Sequence, residues 1–412
     1  MNERRDPFSA AQLEGLPLKN RFIRAGCYEG LSFEGEVTQE LIHHHQNLAK
    51  GGIGMTTLAY ACISPDGRTF ADQIVMNQKA LPGLRQFTEA IHAEGCAASI
   101  QLTHGGYFSD PHLAQGPALA PSKVYNSFRM RFARSMNQND IQRVMTDFVQ
   151  SALLAKEAGF DAVEIHAGHG YLLSQFLSPF TNRRKDQWGG DYKSRRQFPA
   201  RVIAKVRDAL GSDMPILVKM NVDDGIRGGL TLLEAVGAGR LFRKAGASLL
   251  IPSCGFTSKT PFYMLRGDVP LQEMARNRPS PGERVAARLF GAMAVKAYPF
   301  EPLFLQEPAD ALRRASGLPV AYIGGVTSAK DAKRLIELGF DFLQIGRATI
   351  RNPQLINDWA ADEHAVSDCD HCNRCVAVME NRGLICVTSQ EERGEASGMH
   401  LPNAHLIRSQ SQ

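Results

Sequence analysis

The sequence predicts an α/β fold, a (β/α)8 TIM barrel, and three observations carry that prediction. One local unit recurs: Ala-Gly-Phe-Asp-Ala-Val-Glu-Ile at 158–165, Ala-Gly-Ala-Ser-Leu-Leu-Ile at 245–251 and Leu-Gly-Phe-Asp-Phe-Leu-Gln-Ile at 338–345. Each reads as a helix end, a glycine cap and a short buried strand. The chain also offers eight strand candidates, nearly all followed by a helix-periodic stretch, and such alternation builds a parallel sheet. Finally, no early Gly-x-Gly-x-x-Gly loop marks a doubly wound sheet, for which about five to seven strands would be usual.

Residues 7–20 come first, with Gly15 and Pro17 between short apolar groups, and are expected to form a hairpin closing the bottom of the barrel. Strand Arg21–Gly26 precedes the helical pattern Gln39–Lys50, and Ile53–Ala61 precedes Leu81–Glu94. Ala97–Leu102 leads to Gln142–Ala158, Ala162–Ile165 to Arg195–Leu210, and Ile216–Met220 to Leu232–Ala245. Leu249–Ile251 is the sixth strand, Val320–Ile323 precedes Ala329–Leu338, and Phe342–Ile345 precedes Pro353–Ala360. The stretch 254–317 is too long for one βα unit and carries Pro261, Pro270, Pro279 and Pro281; a lid or a contact within a homo-oligomer is expected there. The barrel is assigned to residues 1–365, and 366–412 to a Cys-rich extension that turns polar after Val387.

Composition narrows the function classes. With 412 residues and 43% hydrophobic content the chain can bury a large core. The net charge of +5 is spread over 47 basic and 42 acidic residues without a lysine block or basic stripe, which argues against nucleic acid as a partner. No apolar run is long enough to span a membrane, no h-region follows the N-terminus, and a cytoplasmic location is expected. Cys27, Cys62, Cys96 and Cys254 stand singly in apolar contexts, as buried free thiols of a reducing compartment do.

Chemistry concentrates behind the fourth strand. An apolar run, Ala162–Ile165, gives way to His166, His169 and Tyr171, three proton-handling side chains at a strand-to-loop junction where a barrel builds its active site. His-x-x-His without a third ligand is a weak zinc signal; two core histidines and a merely packed tyrosine are the other readings. The glycines at 324, 325 and 346, with Arg347, follow the seventh and eighth strands, the phosphate position of this fold; simple turn residues are the alternative.

Several segments together resemble the Old Yellow Enzyme family of FMN-dependent NAD(P)H oxidoreductases. They are Leu-Lys-Asn-Arg-Phe-Ile at 18–23, Gly-Glu-Val-Thr at 35–38, Ala-Lys-Gly-Gly-Ile-Gly at 49–54, Gln-Leu-Thr-His-Gly-Gly at 101–106, the 161–190 segment, Ile-Gly-Gly-Val-Thr at 323–327 and Ile-Gly-Arg-Ala at 345–348. Asp-Gln-Trp-Gly-Gly-Asp-Tyr at 186–192 also resembles the oxidoreductase half of bacterial 2,4-dienoyl-CoA reductases. The resemblance implies that NAD(P)H reduces FMN, which then reduces the C=C bond of an enone-type small molecule. It implies that His166 and His169 donate to the substrate carbonyl and that Tyr171 supplies the proton. It implies FMN contacts from Ala25, Gly26, Tyr60, Gln101, Gly324, Gly325, Gly346 and Arg347, with Lys219 where the family usually carries Arg. Tyr28 stands where relatives carry Thr, Cys or His beside the flavin, a departure that narrows the pocket; Cys27 before it reads as a packed core thiol. A dienoyl-CoA-type reductase with an external electron donor and a non-catalytic flavin- or phosphate-binding barrel remain the alternative functions.

Cys369-x-x-Cys372-x-x-Cys375 with Cys386 has metal-site spacing. It occurs where dienoyl-CoA reductases hold a [4Fe-4S] cluster, although those relatives have three residues before the third Cys. A cluster, a zinc ion and uncomplexed thiols are all open, with His371 as a substitute ligand.

Overall fold

The computed structural model describes residues 5–114, 116–126, 131–276, 281–282, 284–285 and 295–394. The polar tail beyond 394 and the middle of the 254–317 insertion lie outside the described residues.

An N-terminal hairpin, β1 (Ala11–Leu13) and β2 (Leu16–Leu18), turns at Gly15, whose φ of 89° favours glycine. Barrel strands β3 (Phe22–Arg24), β4 (Met55–Cys62) and β5 (Ala97–Thr103) follow. A small sheet of β6 (Leu119–Ala120), β7 (Val124–Asn126) and β8 (Arg131–Ser135) interrupts the barrel. It then continues with β9 (Ala162–Ala167), β10 (Ile216–Asp223), β11 (Leu249–Cys254), β12 (Ala321–Tyr322) and β13 (Phe342–Ile345). The eight-stranded order β11-β10-β9-β5-β4-β3-β13-β12 is parallel throughout, and a parallel bridge from Leu250 to Val320 closes it. All eight predicted barrel strands are present.

The hairpin does close the barrel floor. Ala11, Leu13 and Leu18 share one apolar cluster with Ile23, Met55, Leu217, Leu249 and Phe342, residues near the starts of the barrel strands. At about 25 cal/mol per Å² of apolar surface, sealing that end stabilises the closed sheet at the face opposite the loops that carry chemistry.

The β6–β8 sheet is an element the sequence reading missed. Its inner residues Ala120, Val124 and Ala133 pack with Tyr107 and Phe256, while Arg184 anchors it by donating to the carbonyls of Pro121 (2.8 Å) and Met136 (2.7 Å). The insertion after β11 is also shorter than expected, because its last part forms the helix Gln306–Ser316. Ala309 and Leu312 of that helix join the main core as an ordinary member of the outer ring. The C-terminal helix Arg374–Arg382 docks on the loop after β3: a Cβ on Gly30 would lie 2.0 Å from the Met379 carbonyl oxygen, so only glycine fits. Among the described residues, no helix is long and apolar enough to cross a membrane.

Candidate active site

A cavity of about 280 Å³ opens at the C-terminal ends of the barrel strands, near the lower end of the size range for small-molecule sites. Ala25, Gly26, Tyr28, Tyr60, Gln101, His166, His169, Tyr171, Lys219, Gly324, Gly325, Gly346 and Arg347 all line it. Residues predicted from seven separate stretches of chain therefore meet around one space.

Its floor is ionic. Lys219 on β10 and Glu164 on β9 are buried and paired at 2.9 Å. Glu164 also accepts from Gln101 and, at 2.7 Å, from Gln344 on β13. Sequence reading counted Glu164 into an apolar run and did not single out Gln344. A carboxylate inside a buried strand was the available signal, since an unpaired one is too costly to keep there. Gln344 lines this cavity, and among the described residues its buried Oε1 has no hydrogen-bond partner, an orphaned acceptor that suits the N–H edge of a heterocycle. Gly26 leaves room that a side chain would take, its Cβ falling 3.0 Å from Ala59 Cβ. With Gly324, Gly325 and Gly346 on the same wall, the residues present fit a flavin and its phosphate.

The wall beside it is neutral. His166 Nδ1 accepts the Gly168 N–H at 3.3 Å, so the ring proton sits on Nε2. His169 has a left-handed backbone, φ 58°, fixed by three bonds: its N–H donates to Asn221 (2.9 Å) and its carbonyl accepts from the N–H (2.9 Å) and the hydroxyl (2.8 Å) of Thr257. Its Nε2 lies 2.6 Å from Ser253 Oγ. Burial holds the His166 imidazole well below its ordinary pKa and lowers that of His169 to about 3, with Lys219 adding to both, so the rings are uncharged donors at neutral pH. Burial pushes the Tyr171 phenol up to about 12. Its ring lies 4.8 Å from that of His166, and its hydroxyl donates to Tyr60 at 2.9 Å.

Tyr28 stacks on Phe70 with centroids 4.3 Å apart and forms an aromatic box with Tyr60, Phe108 and Tyr171. The Tyr28 ring therefore takes up part of the cavity wall. Cys27 is not the packed core thiol expected: it is half-buried and lines the cavity, just past the end of β3. The insertion contributes Pro261, Met264, Phe300 and Phe304 to the rim.

Arg347 lies between two cavities. It lines the large one and also a second, of about 20 Å³, around which Cys369, Cys372, Cys375 and Cys386 gather. Its guanidinium donates to the Arg266 carbonyl (2.8 Å) and to Asn373 Oδ1 (2.6 Å). Among the described residues, no three His, Cys, Asp or Glu side chains are arranged to hold a metal ion. His371 stacks on Phe300 at 3.4 Å and lines the large cavity. Burial raises the Cys375 thiol to about 12 against the pull of Arg347.

Comparison with known proteins gives this geometry a lineage. The family model for the NADH:flavin oxidoreductase / NADH oxidase family matches residues 8–251.

The chain belongs to that family.

Within it, the chain is 36% identical over 381 residues to the 4,4'-dithiodibutanoate disulfide reductase of Rhodococcus erythropolis, covering 92% of this chain and 94% of that protein. It is 30% identical over 357 residues to an NADPH dehydrogenase of Listeria welshimeri, covering 86% of this chain and 94% of that one. An NADH oxidase of Thermoanaerobacter brockii is 29% identical over 395 residues, 93% of this chain, which spans only 55% of that longer relative. Among solved structures, the old yellow enzyme homologue of Zymomonas mobilis shares the fold with a TM-score of 0.69 at 18% identity, covering 89% of this chain and 96% of that one. A 2-naphthoyl-CoA reductase complex reaches 0.78 at 21% identity, over 92% of this chain and 56% of that one. The expected kinship with the Old Yellow Enzyme family holds, and the protein is an FMN-dependent NAD(P)H oxidoreductase.

Proposed function

We propose that this oxidoreductase reduces the C=C bond of α,β-unsaturated carbonyl compounds. The observation that carries the reading is the meeting of His166, His169 and Tyr171, all neutral, on one wall of a cavity whose floor is charged.

Bound FMN supplies the hydride, which it receives from NAD(P)H. Ala25, Gly26, Gln101 and Gln344 would hold its ring system, with Tyr28 and Tyr60 beside them; Lys219 would stabilise negative charge on it, and Gly324, Gly325, Gly346 and Arg347 would take its phosphate. His166 and His169 donate to the substrate carbonyl, where negative charge grows as the β-carbon is reduced. Tyr171 gives its proton to the α-carbon and is later reprotonated from water.

A second substrate class is favoured by the extended similarity to the dithiodibutanoate reductase. For a disulfide, hydride delivery to one sulfur releases the other as thiolate, and Tyr171 protonates it, giving two thiols. The four C-terminal cysteines gather round one small cavity, and a [4Fe-4S] cluster or a zinc ion are the two metal readings they support. No step of the reduction above runs through them.

Anaerobic purified enzyme should be yellow and be bleached by NADPH or NADH. Re-oxidation by 2-cyclohexenone supports the enone reading; re-oxidation by 4,4'-dithiodibutanoate alone replaces it with the disulfide reading. Iron and acid-labile sulfide near four each per chain support the cluster, and their absence removes it.

A further inference from the structure

Tyr171 does not end its hydrogen bonding at the cavity. Its hydroxyl donates to Tyr60 at 2.9 Å, Tyr60 meets the Thr69 hydroxyl at 2.9 Å, and Thr69 donates to Gln73 Oε1 at 3.1 Å. All four side chains are buried.

The direction of this row follows from its far end. Gln73 Nε2 donates to the Tyr60 carbonyl at 3.2 Å, which fixes the amide so that Oε1 faces Thr69. Oε1 accepts both the Thr69 N–H, at 2.8 Å, and its O–H, filling two lone pairs. Thr69 oxygen is then an acceptor toward Tyr60, the Tyr60 proton points to Thr69, and Tyr60 oxygen accepts from Tyr171. The row runs one way and ends on an atom with no proton to pass on.

We propose that Tyr60 is a positioning residue for proton delivery, orienting the Tyr171 hydroxyl at rest and turning its own O–H onto the Tyr171 phenolate once the proton has left. This rests on the proton-donor role of Tyr171 given above. On transfer, the Tyr171 O–H bond breaks and a C–H bond forms on the substrate; Tyr60 exchanges its bond to Thr69 for a charge-assisted one. The other groups facing Tyr171 do not offer this. Its neighbour His166 is committed to the substrate, Thr257 also meets the Tyr171 hydroxyl but its own proton is held by the His169 carbonyl at 2.8 Å, Phe108 is apolar, and the charge of Glu380 disfavours the phenolate. Because the row ends at Gln73, the replacement proton enters from solvent through the cavity after product leaves.

The test uses the flavin-loaded full chain in stopped flow, with Tyr60→Phe and Thr69→Val. Tyr60→Phe is expected to slow enone re-oxidation about tenfold or more and enlarge its solvent deuterium isotope effect, a larger loss than any it causes in reduction by NADPH. In substrate-free enzyme, the Tyr171 hydroxyl proton, followed by NMR in ring-labelled protein, should exchange with water faster. Thr69→Val frees the Tyr60 proton to turn and should keep re-oxidation within about threefold of wild type. Equal re-oxidation rates in Tyr60→Phe and wild type overturn the proposal, as does an equal loss in both half-reactions, which marks a purely structural role. A wild-type enzyme that no enone re-oxidises counts instead against the enone reading, while the proton-exchange comparison still decides the role of Tyr60.

Discussion

The floor and the wall of the cavity solve burial in opposite ways. On the floor, Lys219 and Glu164 are buried on adjacent strands and pair with each other at 2.9 Å. On the wall, His166 and Tyr171 are buried and His169 is nearly so without counter-charges, and burial drives each to its neutral, proton-bearing form. Pairing preserves charge; isolation removes it. The proposed enone reduction has use for both, a cation beside a cofactor that becomes anionic and neutral donors beside a substrate that becomes enolate-like.

The largest expected effect comes from breaking the floor. Glu164→Leu strands the Lys219 ammonium and removes the acceptor of Gln101 and Gln344, so unfolding in urea should show a loss of about 3–5 kcal/mol. Adding Lys219→Leu should recover a good part of that stability while leaving FMN binding impaired. If the single and double variants were equally unstable, the floor would be a hydrogen-bond network rather than a charge pair.

On the wall, His166→Ala removes one donor from the developing oxyanion and should lower the rate of enone re-oxidation about 10²–10³-fold. His169→Asn keeps a donor, and asparagine tolerates the left-handed backbone at that position, so a loss below about tenfold is expected. Matching losses from the two would remove the distinction between donor chemistry and mere packing.

The smallest effect concerns pH. With His169 near 3 and Tyr171 near 12, neither changes protonation between pH 6 and 9 in the folded enzyme, so the enone step should be flat across about that range. Stability carries the opposite sign from a paired histidine. The unfolded chain binds a proton at His169 below its ordinary value of 6.5 while the folded chain does not until about 3, so stability is full above 6.5 and falls as pH drops through that window. A rate inflection near 6.5 would mean that one of the histidines works as a cation.

The barrel was legible because its helix–glycine–strand unit depends on local residues: Gly159, Gly246 and Gly339 all adopt the positive φ that ends a helix before a strand. The candidate wall was legible for the same reason, with His166, His169 and Tyr171 within one strand-to-loop turn. The floor was only half legible. Glu164 and Lys219 lie on different strands, and nothing local to Ala162–Ile165 indicates that its one carboxylate faces the barrel axis. The β6–β8 sheet escaped because its strands are two to five residues long and β8 exposes four of its five residues, leaving no clear alternation of apolar and polar positions. Tyr60 was expected beside the flavin, but its bond to Tyr171 depends on a register shift between Leu58 and Ala61 that re-aims the end of β4, which no sequence pattern announces.

The central claim is that the wall delivers a proton from Tyr171, and it is tested most directly by Tyr171→Phe followed through its two half-reactions in anaerobic stopped flow. Bleaching by NADPH should proceed at the wild-type rate, while re-oxidation by 2-cyclohexenone should slow by about 10²–10⁴-fold. Re-oxidation at the wild-type rate would contradict the account.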